Sequence, residues 1–148
     1  MKRNNSVAEV SINYVPKKFT SKVKITTSQD AHKVFRSHWS DDLYYREQMY
    51  VLLLNRASMV LGISHIGSGT TAGVLVETKM IMQLVIKANA SSIVVAHNHP
   101  SENKKASQQD IALTNKLKEA CKLMDISLLD HLILCGEDYY SFADEGLI

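Results

Sequence analysis

Cysteine and proline are scarce in this chain of 148 residues, and no apolar run is long. The two cysteines, Cys121 and Cys135, lie outside any Cys-x-x-Cys frame and are expected to be buried thiols rather than a disulfide or a catalytic pair. The longest apolar stretches, residues 51–54 and 93–96, are far too short to cross a bilayer as helices. The basic N-terminus is not followed by an apolar segment of signal-peptide length. We therefore expect a cytoplasmic protein without membrane contact.

The charge is distributed unevenly along the chain. Residues 1–27 contain six basic residues and one acidic residue, whereas the rest contains 11 basic and 14 acidic residues. The length and the 45% hydrophobic content suit one core. We predict a basic, partly disordered arm at residues 1–23 and one domain at residues 24–148. The arm is either a solvated tail or a site of weak contact with nucleic acid.

Apolar periodicity predicts an α/β domain in which about three helices flank a mixed β-sheet. The predicted helices cover residues 28–38, with Ser28 as the N-cap, 78–88 and 107–124. The predicted strands cover residues 48–54, 58–64, 92–96, 128–134 and 139–142. The first two strands are expected to form a hairpin, the last two to meet at a turn around Gly136, and residues 65–70 to form a loop.

Two histidines and one aspartate near the third predicted strand are candidate metal ligands. His97 and His99 lie two positions apart, so that in a strand their side chains project to the same face. Imidazole nitrogens in that arrangement suit Zn²⁺ at about 2.0–2.1 Å. A loop at residues 100–106 reverses the chain, so Asp110 in the next helix can return as the third ligand. These three ligands leave a fourth position open for water, as in catalytic zinc sites.

Ser107 has two interpretations. It precedes Asp110 by three residues, which is the spacing of a helix capping box. A hydroxyl beside a metal-bound water can also donate a hydrogen bond to the oxyanion that forms when the water attacks a carbonyl.

A zinc hydrolase also needs a carboxylate that moves a proton from the water to the leaving amine. No glutamate lies between the candidate ligands in a His-Glu-x-x-His frame. The candidates are Glu47, Glu77 and Glu102. We favour Glu47, because it immediately precedes an apolar strand that can lie beside the ligand strand. Alternatively, Glu47 is a surface acid at the strand edge. The helix dipole alone explains an acidic residue such as Glu77 at a helix start.

The spacing of the candidate residues resembles a known metalloprotease motif. His97, His99, Pro100, Ser107 and Asp110 match each defined position of the JAMM motif, His-x-His-Pro-x6-Ser-x-x-Asp. The chain also resembles the RadC family of bacterial JAMM-domain proteins, at residues 88–90, 96–101, 110–114, 129–131 and 139–142. The resemblance covers most of the predicted domain.

This resemblance implies a cytidine-deaminase-like JAMM (MPN-type) fold. It implies Zn²⁺ bound by His97, His99 and Asp110 together with a water molecule. It also implies Ser107 as the oxyanion helper and Glu47 as the upstream glutamate of the family.

Two positions in the motif loop depart from the usual RadC pattern. Glu102 stands where relatives have Gly, and Ala106 stands where they have Pro. We expect a different loop conformation and an added negative charge near the cation. Neither change removes a ligand, so the metal site is expected to persist.

The leading hypothesis is a zinc metallopeptidase or isopeptidase that acts on a peptide or isopeptide substrate. The alternative, motivated by the basic arm, is a DNA- or protein-binding module associated with DNA repair or mobile elements, with zinc structural or absent. Nucleobase deamination is disfavoured, because deaminases hold zinc with one histidine and two cysteines or with cysteines only. The Pro-Cys-x-x-Cys element of those enzymes is absent. Among the other histidines, His131 is of interest because it lies in a predicted central strand.

Overall fold

The computed structural model describes residue 8 and residues 23–39, 41–69 and 76–148. Apart from residues 8 and 23, the predicted arm lies outside the described residues. The elements, in chain order, are α1 (Ser28–His38), a 3₁₀ turn (Asp41–Tyr44), β1 (Gln48–Leu54), β2 (Val60–Ser68), α2 (Thr78–Lys87), β3 (Ser92–Asn98), α3 (Gln108–Leu123), β4 (Ser127–Cys135) and β5 (Asp138–Ser141).

The described strands form one mixed five-stranded sheet with the order β2-β1-β3-β4-β5. β1 pairs antiparallel with both β2 and β3, and β4 pairs antiparallel with β5. β3 and β4 are parallel, because α3 returns the chain to the starting edge of the sheet. The predicted α/β architecture and both predicted hairpins are confirmed.

Helices cover both faces of the sheet, which explains why β3 is buried along its whole length and apolar at residues 93–96. On one face, Val51 and Val95 pack in a core with residues of α2 and α3, including Ile81 and Leu117. On the other face, Phe35 of α1 packs in a core that draws alternate residues from β1, β3 and β4. Each fully buried aliphatic or aromatic side chain of this kind contributes roughly 1.5–3 kcal/mol to folding.

The start of α1 differs by one residue from the prediction. The N-cap is Thr27, whose side chain accepts a hydrogen bond from the Asp30 N–H, and Ser28 is the first helical residue. Asp30 in turn accepts from the Thr27 N–H at 3.0 Å and completes a capping box. Ser28 is therefore free to donate to Asp144, at 2.6 Å.

β2 also differs from its predicted position, since it begins at Val60 and continues to Ser68 instead of ending at residue 64. Ser58 lies in the turn with a φ of 61°. The predicted loop at residues 65–70 is wrong over residues 65–68, which pair with β1. His65 and Ser68 are exposed there, and polar residues on the outermost strand of the described sheet give no apolar alternation to recognise.

The two cysteines are free and buried, as predicted. Burial raises the pKa of the Cys121 thiol to about 11, which fits an unreactive core residue. No helix in the described part of the chain is long and apolar enough to cross a membrane.

Candidate metal centre

β3 delivers the two histidines to the face of the sheet that α3 covers. His97 lies in the strand beside Met49 of β1 and Ile133 of β4, and only 5% of its surface is exposed. His99 follows the last strand residue, and its backbone N–H donates to the Leu134 carbonyl at 2.9 Å. This bond extends the pairing with β4 by one residue, so the two side chains project to the same side, as predicted.

The N-terminus of α3 brings Asp110 to the histidines. Ser107 is the N-cap, and its hydroxyl oxygen accepts from the Asp110 N–H at 3.1 Å. The Asp110 Oδ2 accepts from the Ser107 N–H at 2.7 Å, which completes the predicted capping box. The carboxylate is thereby fixed at the helix start, where the helix dipole favours negative charge.

The three side chains converge on one point. His97 Nε2 lies 3.0 Å from His99 Nε2 and 3.1 Å from Asp110 Oδ1. His99 Nε2 lies 3.4 Å from Asp110 Oδ2. One ligand atom from each residue falls within 4.8 Å of the other two, so the group could hold a metal ion.

The hydrogen bonds around this group suit a cation. His99 Nδ1 lies 2.6 Å from the Asn103 carbonyl, which can only accept, so Nδ1 carries the proton and the Nε2 lone pair faces the other ligands. Two ring nitrogens and a carboxylate oxygen this close repel one another unless a proton or a cation lies between them. Two nitrogens and one oxygen are donors that zinc accepts.

The ionisation of the group agrees with this arrangement. Burial raises the pKa of Asp110, but hydrogen bonds from the His97 and His99 rings, which donate when Nε2 is protonated, outweigh it and hold the pKa well below the ordinary value. The hydrogen bond to Asp110 raises the pKa of His99, against the opposing effect of burial. The charge of Glu47 also contributes to that rise.

Glu47 shares a cavity with two of the three candidate ligands. The cavity has a volume of about 210 Å³, and Glu47, His97 and Asp110 all line it. Its apolar wall consists of Met49, Val76 and Leu113. The glutamate favoured from the sequence therefore opens onto the same space as the histidine and the aspartate.

Asn98, between the two histidines, fixes the segment that carries Glu47. Its Nδ2 donates to the carbonyls of Leu43 at 2.7 Å and Arg46 at 2.9 Å. Its Oδ1 accepts from the Gln48 N–H at 2.7 Å. Asn98 is fully buried. Sequence reasoning missed this residue, whose only signal was its position between the two candidate histidines, just after the strand predicted at residues 92–96.

The other two candidate glutamates lie elsewhere. Glu77 is the exposed N-cap of α2 and makes no side-chain capping bond. Glu102 has a φ of 62°, a conformation that favours glycine, the residue usual at this position in the resembled family. Its carboxylate lies against Gly136 in the β4–β5 turn and near the Tyr44 hydroxyl. Neither side chain lines the cavity that Glu47 shares.

Two further buried residues contact the candidate ligands. His131 Nε2 lies 2.7 Å from His97 Nδ1, and His131 Nδ1 lies 2.7 Å from the Thr114 hydroxyl. His131 is fully buried and stacks on Phe142 with the ring centroids 4.7 Å apart. Burial lowers the pKa of His131 well below its ordinary value. The sequence indicated that His131 is central but gave no sign of Thr114.

Fold and donor set together define an α/β domain with a candidate His-His-Asp metal centre at the end of its central strand. Among the described residues, the group able to hold a metal contains no cysteine. The RadC-like JAB domain model matches residues 25–147. The chain therefore belongs to the RadC-like JAB domain family, as the resemblance implied.

Similar proteins come from diverse bacteria. The chain is 35% identical to a UPF0758 protein of Flavobacterium johnsoniae over 124 residues, which covers 84% of this chain and 53% of the relative. It is 37% identical to a UPF0758 protein of Porphyromonas gingivalis over 126 residues, covering 84% and 54%. A UPF0758 protein of Aquifex aeolicus is 32% identical over 128 residues, covering 86% and 54%. The chain spans about half the length of these curated relatives.

Proposed function

We propose that this domain is a zinc-dependent hydrolase that cleaves a peptide or isopeptide bond. The observation that carries the proposal is the convergence of His97, His99 and Asp110 beside a cavity that Glu47 lines together with two of these ligands. The family membership supports the same chemistry. Three protein ligands leave a coordination position free for water or substrate, which is the composition of a catalytic rather than a structural zinc site.

His97, His99 and Asp110 would hold the zinc ion. Zinc bound by these side chains acts as a Lewis acid and brings the pKa of a water molecule close to 7. The protein's own contribution begins with the fixed orientation of the three ligands. Asp110 is held by the α3 cap and His99 by the Asn103 carbonyl, so little ordering is left to the binding event.

Glu47 is the proposed general base and acid. Its carboxylate takes a proton from the attacking water and returns it to the leaving amine nitrogen. The hydrogen bonds of Asn98 to Arg46 and Gln48 hold the backbone on both sides of Glu47. A held backbone limits the positions that the carboxylate can take in the cavity, and proton transfer requires it within hydrogen-bond reach of the reacting atoms.

Ser107 is the proposed oxyanion donor as well as the helix cap. Its hydroxyl oxygen accepts from Asp110, which leaves the hydroxyl hydrogen available to donate. The two interpretations made from the sequence are therefore compatible. The donated hydrogen bond would stabilise the negative charge that develops on the carbonyl oxygen.

The cavity of about 210 Å³ beside the candidate ligands has both apolar and charged walls. Met49, Val76 and Leu113 form the apolar wall, and Glu47 and Asp110 bring carboxylates to the remainder. A substrate bound there would meet apolar and polar groups together.

The test compares zinc-loaded protein with its Glu47→Gln variant on a broad library of peptides and isopeptides. Glu47→Gln keeps the size of the side chain and all three ligands, so it is expected to bind zinc like the wild type. It should nevertheless lose about 10²–10⁴-fold in kcat, the usual contribution of general acid–base catalysis. Glu77→Gln is the matched control and should retain full activity, since Glu77 does not line the cavity.

Equal rates for wild type and Glu47→Gln across the library would contradict the proposal. Steeply salt-dependent DNA binding that disappears on removal of residues 1–24 would then favour the binding-module alternative. The partner in that case would be recognised through the basic arm.

A further inference from the structure

A chain of buried hydrogen bonds connects one candidate ligand to the backbone of another. It runs from His97 Nδ1 to His131 Nε2 at 2.7 Å and from His131 Nδ1 to Thr114 Oγ1 at 2.7 Å. Thr114 Oγ1 then donates to the Asp110 carbonyl oxygen at 2.7 Å. His131 and Thr114 are buried to at least 99%. The chain therefore joins β3, β4 and α3 behind the candidate metal centre.

The last bond sets the direction of all the others. A carbonyl oxygen only accepts, so the single hydroxyl hydrogen of Thr114 is used on Asp110, and Thr114 must accept from His131. His131 then carries its proton on Nδ1, and its Nε2 accepts from His97 Nδ1. His97 consequently has a bare Nε2, the atom that faces Asp110 Oδ1 at 3.1 Å.

The opposite tautomer of His97 would block the metal site. A proton on His97 Nε2 would point at His99 Nε2, 3.0 Å away, and occupy the lone pair needed for a cation. His99 does not need such a chain, because the Asn103 carbonyl fixes its tautomer directly. For His97, the imidazole of His131 fixes the tautomer in the same way, because its Nε2 accepts from His97 Nδ1.

Packing prevents His131 from turning away from this arrangement. Its ring stacks on Phe142 with an interplanar angle of 10°, and both ring nitrogens are engaged. The hydrogen bonds of a ring held in this way are directional constraints on its neighbours. Thr114 is one helical turn after Asp110, so the same chain also ties the helix that carries the aspartate to the strand that carries the histidine.

We propose that His131 and Thr114 are positioning residues that fix the metal-binding tautomer and ring orientation of His97. The inference rests on the metal binding in the proposed function but not on hydrolysis. Outer partners of metal ligands typically change metal affinity by 10- to 100-fold when they are removed. His131 and Thr114 would change the zinc affinity through His97, without contact with the metal or the substrate.

The first test uses a matched pair of variants at position 114. Thr114→Val preserves shape but removes the hydroxyl, so His131 loses the acceptor that sets its tautomer. Zinc affinity, measured by competition with a chromophoric chelator, is expected to fall about 10- to 100-fold. Thr114→Ser restores the hydroxyl and should return the affinity to within a few-fold of the wild type.

The second test observes the tautomers directly in metal-free protein. Nitrogen-15 NMR of the histidine rings distinguishes a protonated nitrogen from a bare one. Wild type should show protonated Nδ1 and bare Nε2 on both His97 and His131, and Thr114→Val should populate the opposite tautomer of His97. A general loss of packing would not produce this specific exchange of tautomers. His131→Phe is a second variant, which keeps an aromatic ring but cannot accept the hydrogen bond from His97 Nδ1.

Wild-type affinity and unchanged tautomers in Thr114→Val would overturn the inference, as would a protonated Nε2 on His97 in the wild type. If the variants do not fold, the wild-type spectrum alone still decides between the two tautomers. Failure of the wild type to bind zinc would instead contradict the proposed function. The tautomers are measured in metal-free protein, so a failure of the inference and a failure of the proposed function can be told apart.

Discussion

Asp110 serves both the start of α3 and the candidate metal centre. Oδ2 accepts from the Ser107 N–H, whereas Oδ1 faces His97 Nε2 at 3.1 Å. The cap orders the carboxylate when the protein folds, before any cation binds, and this reduces the entropy cost of binding. Asp110→Asn retains an acceptor for the cap but removes the charge, so it separates the two contributions.

Zinc affinity should depend on the ionisation of His99. A proton on Nε2 competes with the metal, so affinity should fall by about tenfold per pH unit below the pKa of His99. The hydrogen bond to Asp110 raises that pKa above its ordinary value of 6.5, and the decline should therefore begin above pH 6.5. Competition titrations between about pH 8 and about pH 6 measure the onset.

Asp110→Asn is the matched control for this pH profile. Its overall affinity is weaker, but without the carboxylate its decline should begin at a lower pH than that of the wild type. A wild-type affinity that stays constant down to about pH 6 would show that His99 does not contribute a ligand atom.

Residue spacing predicted the candidate ligands but not the buried residues behind them. His97, His99 and Asp110 lie within fourteen positions, and the geometry of a strand, a loop and a helix start connects them locally. His131 reaches His97 because β4 pairs in parallel with β3, and Thr114 reaches His131 because α3 packs on β4. No local pattern encodes that pairing.

At the scale of elements, the caps of α1 and α3 form a natural comparison. Thr27 and Ser107 both accept a hydrogen bond from the third helical residue, and both belong to a capping box. Thr27→Ala and Ser107→Ala should therefore each lower the free energy of unfolding by about 1 kcal/mol. Only Ser107→Ala should also lower kcat, since α1 packs on the opposite face of the sheet.

Urea unfolding and steady-state kinetics on the same two variants make this comparison. Equal kcat values for Ser107→Ala and wild type would leave Ser107 as a helix cap alone.

Thr27 also illustrates why the predicted N-cap of α1 was displaced by one residue. Thr27 and Ser28 are both good capping residues, and Asp30 at the third helical position favours Thr27.

The β4–β5 turn lies against the loop that follows His99. Gly136 has a φ of 60°, and a Cβ there would overlap the Glu102 carboxylate. Gly136→Ala should cost about 1 kcal/mol for the backbone conformation, and more for the steric overlap. Gly146 has a φ of 74°, and a Cβ added there would meet open space, so Gly146→Ala should carry the backbone cost alone.

Urea unfolding of the two alanine variants isolates the steric contribution. Combining Gly136→Ala with Glu102→Gly should remove the excess, because the overlapping carboxylate is gone. Equal destabilisation by Gly136→Ala and Gly146→Ala would mean that Glu102 can move away at no cost. The loop would then be less tightly coupled to the turn than the contact suggests.

At the scale of the whole molecule, the sheet assembles the site from three separate segments. Glu47 immediately precedes β1, the histidines lie at the end of β3, and α3 carries Asp110. The apolar runs of β1 and β3 were recognisable because both strands are buried by helices on the two faces. The antiparallel pairing that sets Met49 beside His97 is a long-range contact, so local spacing alone could not place Glu47 at the site.

Binding of zinc to the purified, tag-free protein tests the proposed site most directly. Metal analysis after zinc loading and dialysis should find one zinc ion per wild-type chain, very little in Asp110→Ala and a reduced amount in Asp110→Asn. Glu47→Gln should bind like the wild type, because Glu47 is not a proposed ligand. Wild-type protein that retains no zinc, or Asp110→Ala that retains as much as the wild type, would contradict a metal centre formed by His97, His99 and Asp110.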